Sequence, residues 1–219
     1  MKGNNKGFSL VELLVSFAIL SVVTTIVLGI VVSGTNMFNK NKRVLSLQYK
    51  SQIASAQFHS YLQNCDGGVA ATQNYLWVVN TKSDSTGEIY LFCKENDSNE
   101  IFLKKFNVTV SKQEGSDDNE DEYTYEDSSG ATQAVNSVGT AAISNCAGEP
   151  MCSSIESWSI TIDSDENNIA HYASITLNLK QEVSTYSKTT VESFRNRPVY
   201  IHETDPALIT GSLVNNIWG

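Results

Sequence analysis

The chain predicts an α+β fold, a long N-terminal helix packed against an antiparallel β-sheet domain. Three observations carry this expectation. An apolar run opens the chain with no charge between Glu12 and Lys40, and no proline occurs before Pro150. Past that run, apolar residues recur at helical spacing as far as Leu62. From Leu76 onward the pattern changes to short β-branched and aromatic segments separated by turn residues.

The stretch from Leu13 to Val32 is long enough for about 20 residues of helix to cross a hydrocarbon core of ~30 Å. Ser16, Ser21, Thr24 and Thr25 interrupt it, but hydroxyls can bond back to their own helix and remain compatible with insertion. A secretory signal would have a shorter apolar region followed by a small-residue cleavage site, so this segment is expected to be retained. Gly29 weakens the helix, by about 1 kcal/mol relative to alanine, and nothing forces a break between Phe8 and about Tyr61. Lys2 and Lys6 flank one side of the span, and Lys40, Lys42 and Arg43 the other, so the positive-inside rule sets no orientation.

The second half of the helix carries two apolar stripes. Phe38, Leu45, Tyr49, Ile53 and Ala56 fall on one face, and Met37, Val44, Leu47, Phe58 and Leu62 on roughly the opposite one. A surface helix needs a single stripe. Two stripes fit one face against the globular domain and one against neighbouring molecules, or a helix wrapped on two sides by its own domain.

Strands are expected at Leu76–Val79, Ile89–Phe92, Ile101–Val110, Tyr123–Tyr125, Trp158–Ile162, Ala173–Leu179 and Val199–Ile201. Alternation is clear in Ile160-Thr161-Ile162 and from Ile175 to Leu179, with a hairpin loop at Asp163–Asn168 between them. Ser128 to Glu149, rich in Gly, Ser, Ala and Thr, reads as a long loop. The tail from Leu208 to Trp218 is apolar, and reads as a strand or helical turn docked on the domain, or as a contact to a partner.

The most informative residues lie at the start. Glu12 sits at the head of the apolar run, where an acidic side chain costs up to about 2.5–3.5 kcal/mol at mid-membrane and less near the interface. The run Gly7-Phe8-Ser9-Leu10-Val11-Glu12-Leu13-Leu14-Val15 resembles the class III signal of type IV prepilins and type II secretion pseudopilins. That resemblance implies cleavage between Gly7 and Phe8 by a prepilin peptidase, N-methylation of Phe8, and an assembly role for Glu12. Its implied partners are that peptidase, other pilin subunits and a membrane assembly platform, with the domain outside the cytoplasmic membrane on a filament. The chain then divides into a leader at 1–7, a transmembrane and filament-core helix at 8–33, and a continuing amphipathic helix at 34–62. A pilin-like β-rich domain follows at 63–219, with a long loop near 113–150. Size, the long loop and the cysteines point to a minor, J-like subunit, with a major pilin or a membrane-tethered binding module as alternatives.

Four cysteines, Cys65, Cys93, Cys146 and Cys152, follow the membrane segment, and four cysteines allow three complete pairings. The expected bridges are Cys146–Cys152, closing a short loop over Pro150, and Cys65–Cys93. No Cys-x-x-Cys pair or paired histidines support zinc. An acidic stretch runs from Glu114 to Asp127. Within it Asp117-x-Asn119-x-Asp121 has the first half of a calcium loop, but Glu122 and Ser128 stand where the glycine and closing glutamate belong. Asp163-x-Asp165-x-Asn167 departs likewise at Asn168 and Ser174. Both read first as solvated loops, so no cofactor is expected and calcium is the one candidate. His59, His171 and His202 adjoin no nucleophile motif, and no Walker, Gly-x-Ser-x-Gly or His-Glu-x-x-His pattern occurs, so an enzyme is not expected. Net charge is −9, which argues against direct nucleic-acid binding, since that runs on Lys and Arg. The pair Lys104–Lys105 is too small to reverse this.

Overall fold

The structure, a computed structural model, describes residues 9–95, 97–109, 124–126, 132–134, 148–203 and 206–218. Helix α1 runs unbroken over Leu10–Asn64. Its hydroxyls bond back one turn: Ser16 Oγ to the Glu12 carbonyl at 2.7 Å, Thr24 Oγ1 to Leu20 at 2.7 Å and Thr25 Oγ1 to Ser21 at 2.8 Å. Those bonds satisfy the polar atoms within an otherwise apolar segment. The chain forms two compact units, dividing after Leu45. In the first, every described residue from Ser9 to Lys42 is exposed, and α1 is long and apolar enough to cross a membrane, with a mean hydropathy of 2.6 over an 18-residue stretch.

The second unit holds the sheets. In chain order the strands are β1 (Gly68–Ala71), β2 (Tyr75–Ser83), β3 (Thr86–Cys93), β4 (Glu100–Thr109), β5 (Thr124–Glu126), β6 (Thr132–Ala134) and β7 (Glu149–Ser153). They continue with β8 (Ile155–Ser164), β9 (Ala170–Gln181), β10 (Ser184–Ser193) and β11 (Val199–Tyr200), and α2 (Pro206–Trp218) closes the chain. One sheet has the order β11-β1-β2-β3-β4-β5-β6, with β7 also paired to β4, and the second has the order β10-β9-β8. Neighbours are antiparallel except β1 and β11. The architecture is α+β and pilin-like.

Two cores lie on the two faces of the larger sheet. Leu47, Ala54, Phe58 and Leu62 of α1 pack with Leu76, Val78 and Phe92 from that sheet and with Trp158, Ile175 and Leu177 from the smaller one. On the opposite face Trp77, Val79, Ile89 and Leu91 meet Ile209, Leu213 and Val214 of α2. Strands buried on both faces read as continuous apolar runs, which is why Leu76-Trp77-Val78-Val79 was legible. The tail is therefore a helix. It docks against two glycines: a Cβ at Gly68 would stand 2.8 Å from Leu213 Cδ2, and one at Gly87 2.5 Å from Trp218 Cζ2.

Three expectations need correction. The strands β1 and β10 have no counterpart in the sequence reading. The expected loop near 113–150 contains β5 and β6 and runs into the start of β7. Neither expected disulfide forms, because Cys65 and Cys152 are buried free thiols. Cys65 donates to the carbonyls of Gly68 and Val79 at 3.3 and 3.4 Å, inside the α1 core. Cys93 follows Ile89 and Leu91 by strand alternation and so belongs to the other face of the sheet. Cys152 lies 4.0 Å from the Lys50 carbonyl, and Cys146 falls outside the described residues.

Candidate functional site

The start of α1 is built as a reciprocal cap. Ser9 precedes the first helical residue, and its Oγ accepts from the Val11 N–H at 3.3 Å. Glu12 reaches back, its Oε2 accepting from the Ser9 N–H at 3.0 Å. Ser-x-x-Glu is the capping-box pattern, and a carboxylate in the first turn also faces the positive end of the helix dipole. Glu12 is thus held by its own chain through one carboxylate oxygen. Its side chain is exposed, so a cation on another molecule can reach it. Gly7 and Phe8 lie outside the described residues.

Further along α1 the two stripes separate. Leu47, Phe58 and Leu62 are buried in the core, whereas Leu45, Tyr49 and Ile53 are 63%, 66% and 42% exposed. Ala56 and Phe38 are exposed with them. Met37 departs from its expected face and is also exposed.

The other candidates come together less. Asp117, Asn119 and Asp121 lie outside the described residues. Asp165 Oδ1 accepts from the N–H groups of Asn167 and Ile169, both at 2.9 Å. These backbone bonds, that of Ile169 foremost, hold its carboxyl below the usual range. Its geometry is that of a turn. Among the described residues no group of three His, Cys, Asp or Glu is placed to hold a metal. His59 bonds Glu192, His171 lies 3.6 Å from Asp165, and His202 packs edge-on to Tyr200.

One polar cluster escaped the sequence reading. Glu88 accepts from Lys82 and Lys105, each at 2.6 Å, and from the Tyr90 hydroxyl. Burial would raise its pKa, but the bonds from Lys105, Lys82 and Tyr90 prevail and bring it down to about 2. The partners come from three strands, so no local spacing announces them. Half of the Lys104–Lys105 patch is thereby engaged.

Nothing among the curated proteins or the solved structures matches this chain significantly. One family model does, the prokaryotic N-terminal methylation motif, over residues 2–34. That stretch contains the capped helix start and the whole membrane-length run, and so the chain opens on an N-terminal methylation motif consistent with the class III signal of type IV prepilins and pseudopilins.

Proposed function

We propose that this chain is a structural subunit, and a minor one, of a type IV pilus-like or type II secretion-like filament. The observation that carries the reading is the methylation motif at residues 2–34, placed at the head of a helix whose first half buries nothing within its own chain. Cleavage between Gly7 and Phe8 frees an α-amine with a reference pKa of about 7.7–8.0, and the methylated amine stays cationic. In an apolar layer that cation is the fitting partner for Glu12 of a neighbouring subunit, because such a pair gains strength only with both charges present and close. The exposed stripe Leu45, Tyr49, Ile53 continues the contact surface beyond the membrane. The globular domain then lies outside the cytoplasmic membrane. Size, loop content and cysteine number favour a minor rather than a major subunit.

The test is quantitative mass spectrometry of filaments sheared from cells, reading the N-terminal peptide and the abundance together. A methylated Phe8 terminus at trace stoichiometry supports the minor subunit, and dominant stoichiometry makes it the major one. Absence from filaments, with Met1–Gly7 still attached in the membrane fraction, overturns the reading and leaves a tethered binding module.

A further inference from the structure

Strand β10 borders the smaller sheet and pairs with β9 alone among the described residues. Its ten residues include no proline and no glycine, and its pairing shows no register shift. It therefore lacks the proline and the bulge that blunt many sheet edges, and its charges, Lys188 and Glu192, point inward. The Phe194 N–H donates to the His171 carbonyl at 3.0 Å, and this fixes the direction of every other group. Hydrogen-bonded and non-bonded pairs alternate along an antiparallel ladder. Continuing the register back from Phe194, residues 192, 190, 188, 186 and 184 turn their N–H and C=O groups to β9. Thr185, Ser187, Thr189, Val191 and Ser193 turn theirs to the open edge, and all five side chains are exposed.

The remaining side chains of β10 share the face of the sheet that meets α1, and they carry a self-complementary charge pattern. Lys188 and Glu192 stand symmetrically about Thr190. We propose that this edge docks the same edge of a second copy of the chain, antiparallel and centred on Thr190. That register sets Lys188 of each copy opposite Glu192 of the other and pairs the outward residues 187 with 193 and 189 with 191. Opposite charges directly across a strand pair stabilise it, and like charges do the reverse. Sliding by one pleat either way sets Lys188 against Thr190 or Phe194 and loses both ion pairs. Tyr186, Lys188 and Thr190 are only half-buried, so α1 leaves this margin open to an added strand.

Direction then dictates how the two domains face each other. Ser55 bonds Thr190 and, one turn later, His59 bonds Glu192, so α1 and β10 run the same way here. A two-fold axis that sets the strands antiparallel also sets the helices antiparallel. The contact is a homotypic one between two globular domains, beyond the assembly role proposed above.

The experiment uses full-length protein in lipid vesicles with the domain outward, carrying Thr190→Cys. At the two-fold centre the substituted positions face each other, so oxidation is expected to cross-link two copies into a disulfide-bonded dimer. Thr189→Cys, opposite residue 191 rather than itself, is expected to cross-link far less. Adding Lys188→Glu or Glu192→Lys juxtaposes like charges twice and is expected to lower the cross-linked yield at least about tenfold. Mixing the two variants restores both ion pairs and the yield. Thermal melting identifies a variant that has lost its fold, and Lys188→Glu, which leaves the His59–Glu192 contact intact, then carries the test. A chain that stays monomeric under oxidation with Thr190→Cys, or a yield indifferent to Lys188→Glu, overturns the proposal.

Discussion

The two halves of α1 share one continuous helix and differ in what their apolar residues do. From Ser9 to Lys42 every residue is exposed, Phe17, Leu20 and Ile30 among them. In the second half Leu47, Ala54, Phe58 and Leu62 are almost wholly buried while Leu45, Tyr49 and Ile53 are not. Burying a large apolar side chain is worth about 1.5–3 kcal/mol, and the first half realises none of that within its own chain. Its apolar residues answer to lipid or to neighbouring subunits, and those of the second half's inner stripe answer to the fold. Period tells the two apart: the first half is apolar all round, and the second is striped.

The largest effect that separates the halves is expected from truncating one aromatic or aliphatic residue in each. Phe58 is buried against Phe92 and Trp158, with ring centroids 5.1 and 6.0 Å away. Phe58→Ala is expected to cost the domain about 3–5 kcal/mol in denaturant unfolding followed by tryptophan fluorescence. Leu20→Ala removes an exposed side chain and is expected to leave that transition in place. Equal losses from both would break the distinction between the halves.

How much of this was legible in the sequence depends on what each residue touches. The helix and most strands with buried cores announced themselves through period and β-branching, but the buried β1, Gly68-Val69-Ala70-Ala71, did not. Strand β10, Ser-Thr-Tyr-Ser-Lys-Thr-Thr-Val-Glu-Ser, did not, because its inner face is mostly half-buried and its alternation is between polar residues. Strand β7 hid behind Pro150, a residue that reads as a break. At the helix start the charge of Glu12 marks it in the sequence, whereas the cap it shares with Ser9 is seen only in the structure. The cysteines misled because sequence spacing suggested partners, whereas the faces of a sheet decide them.

A second expected effect follows from those cysteines. Cys65 and Cys152 are free thiols, whereas Cys93 is disulfide-bonded. Non-reducing peptide mapping is expected to find Cys93 bridged, and reduction to cost the domain about 2–4 kcal/mol. Burial pushes the Cys65 thiol up to about 12, so its alkylation is expected to wait on unfolding. Rapid labelling of Cys65 in the native protein, or a Cys93 thiol free in the oxidised protein, contradicts this. Neither change is expected to touch the first half of α1, which has no cysteine.

The face of the large sheet opposite α1 offers a third, smaller perturbation. Gly87→Ala pushes a methyl group into Trp218, and overpacking of this kind costs about 1–3 kcal/mol. Trp218 also donates its Nε1–H to the Ser83 carbonyl at 3.4 Å. Loosened docking of α2 is expected to appear as faster hydrogen exchange in residues 206–218, with α1 residues 47–62 still protected. Loss of protection in both would mean that the two cores unfold as one.

Acid supplies the smallest effect, and one confined to the second unit. Glu88 has an ordinary pKa of 4.5 and a folded value of about 2, so the unfolded chain binds its proton first as pH falls. The stability it contributes is present above about pH 4.5 and is lost as pH drops from there towards 2. Both lysines are about half exposed, so the cluster is expected to contribute no more than about 1 kcal/mol. Glu88→Gln removes the titrating group, and its melting temperature is expected to fall less steeply than that of the parent between pH 4.5 and 2. Lys105→Ala removes one of three donors and is expected to lie between them. Parallel curves for parent and Glu88→Gln would show that the lysines and Tyr90 position Glu88 without stabilising its charge. Acid sensitivity would then rest on other carboxylates, and the cluster would serve only to set the register of β2, β3 and β4.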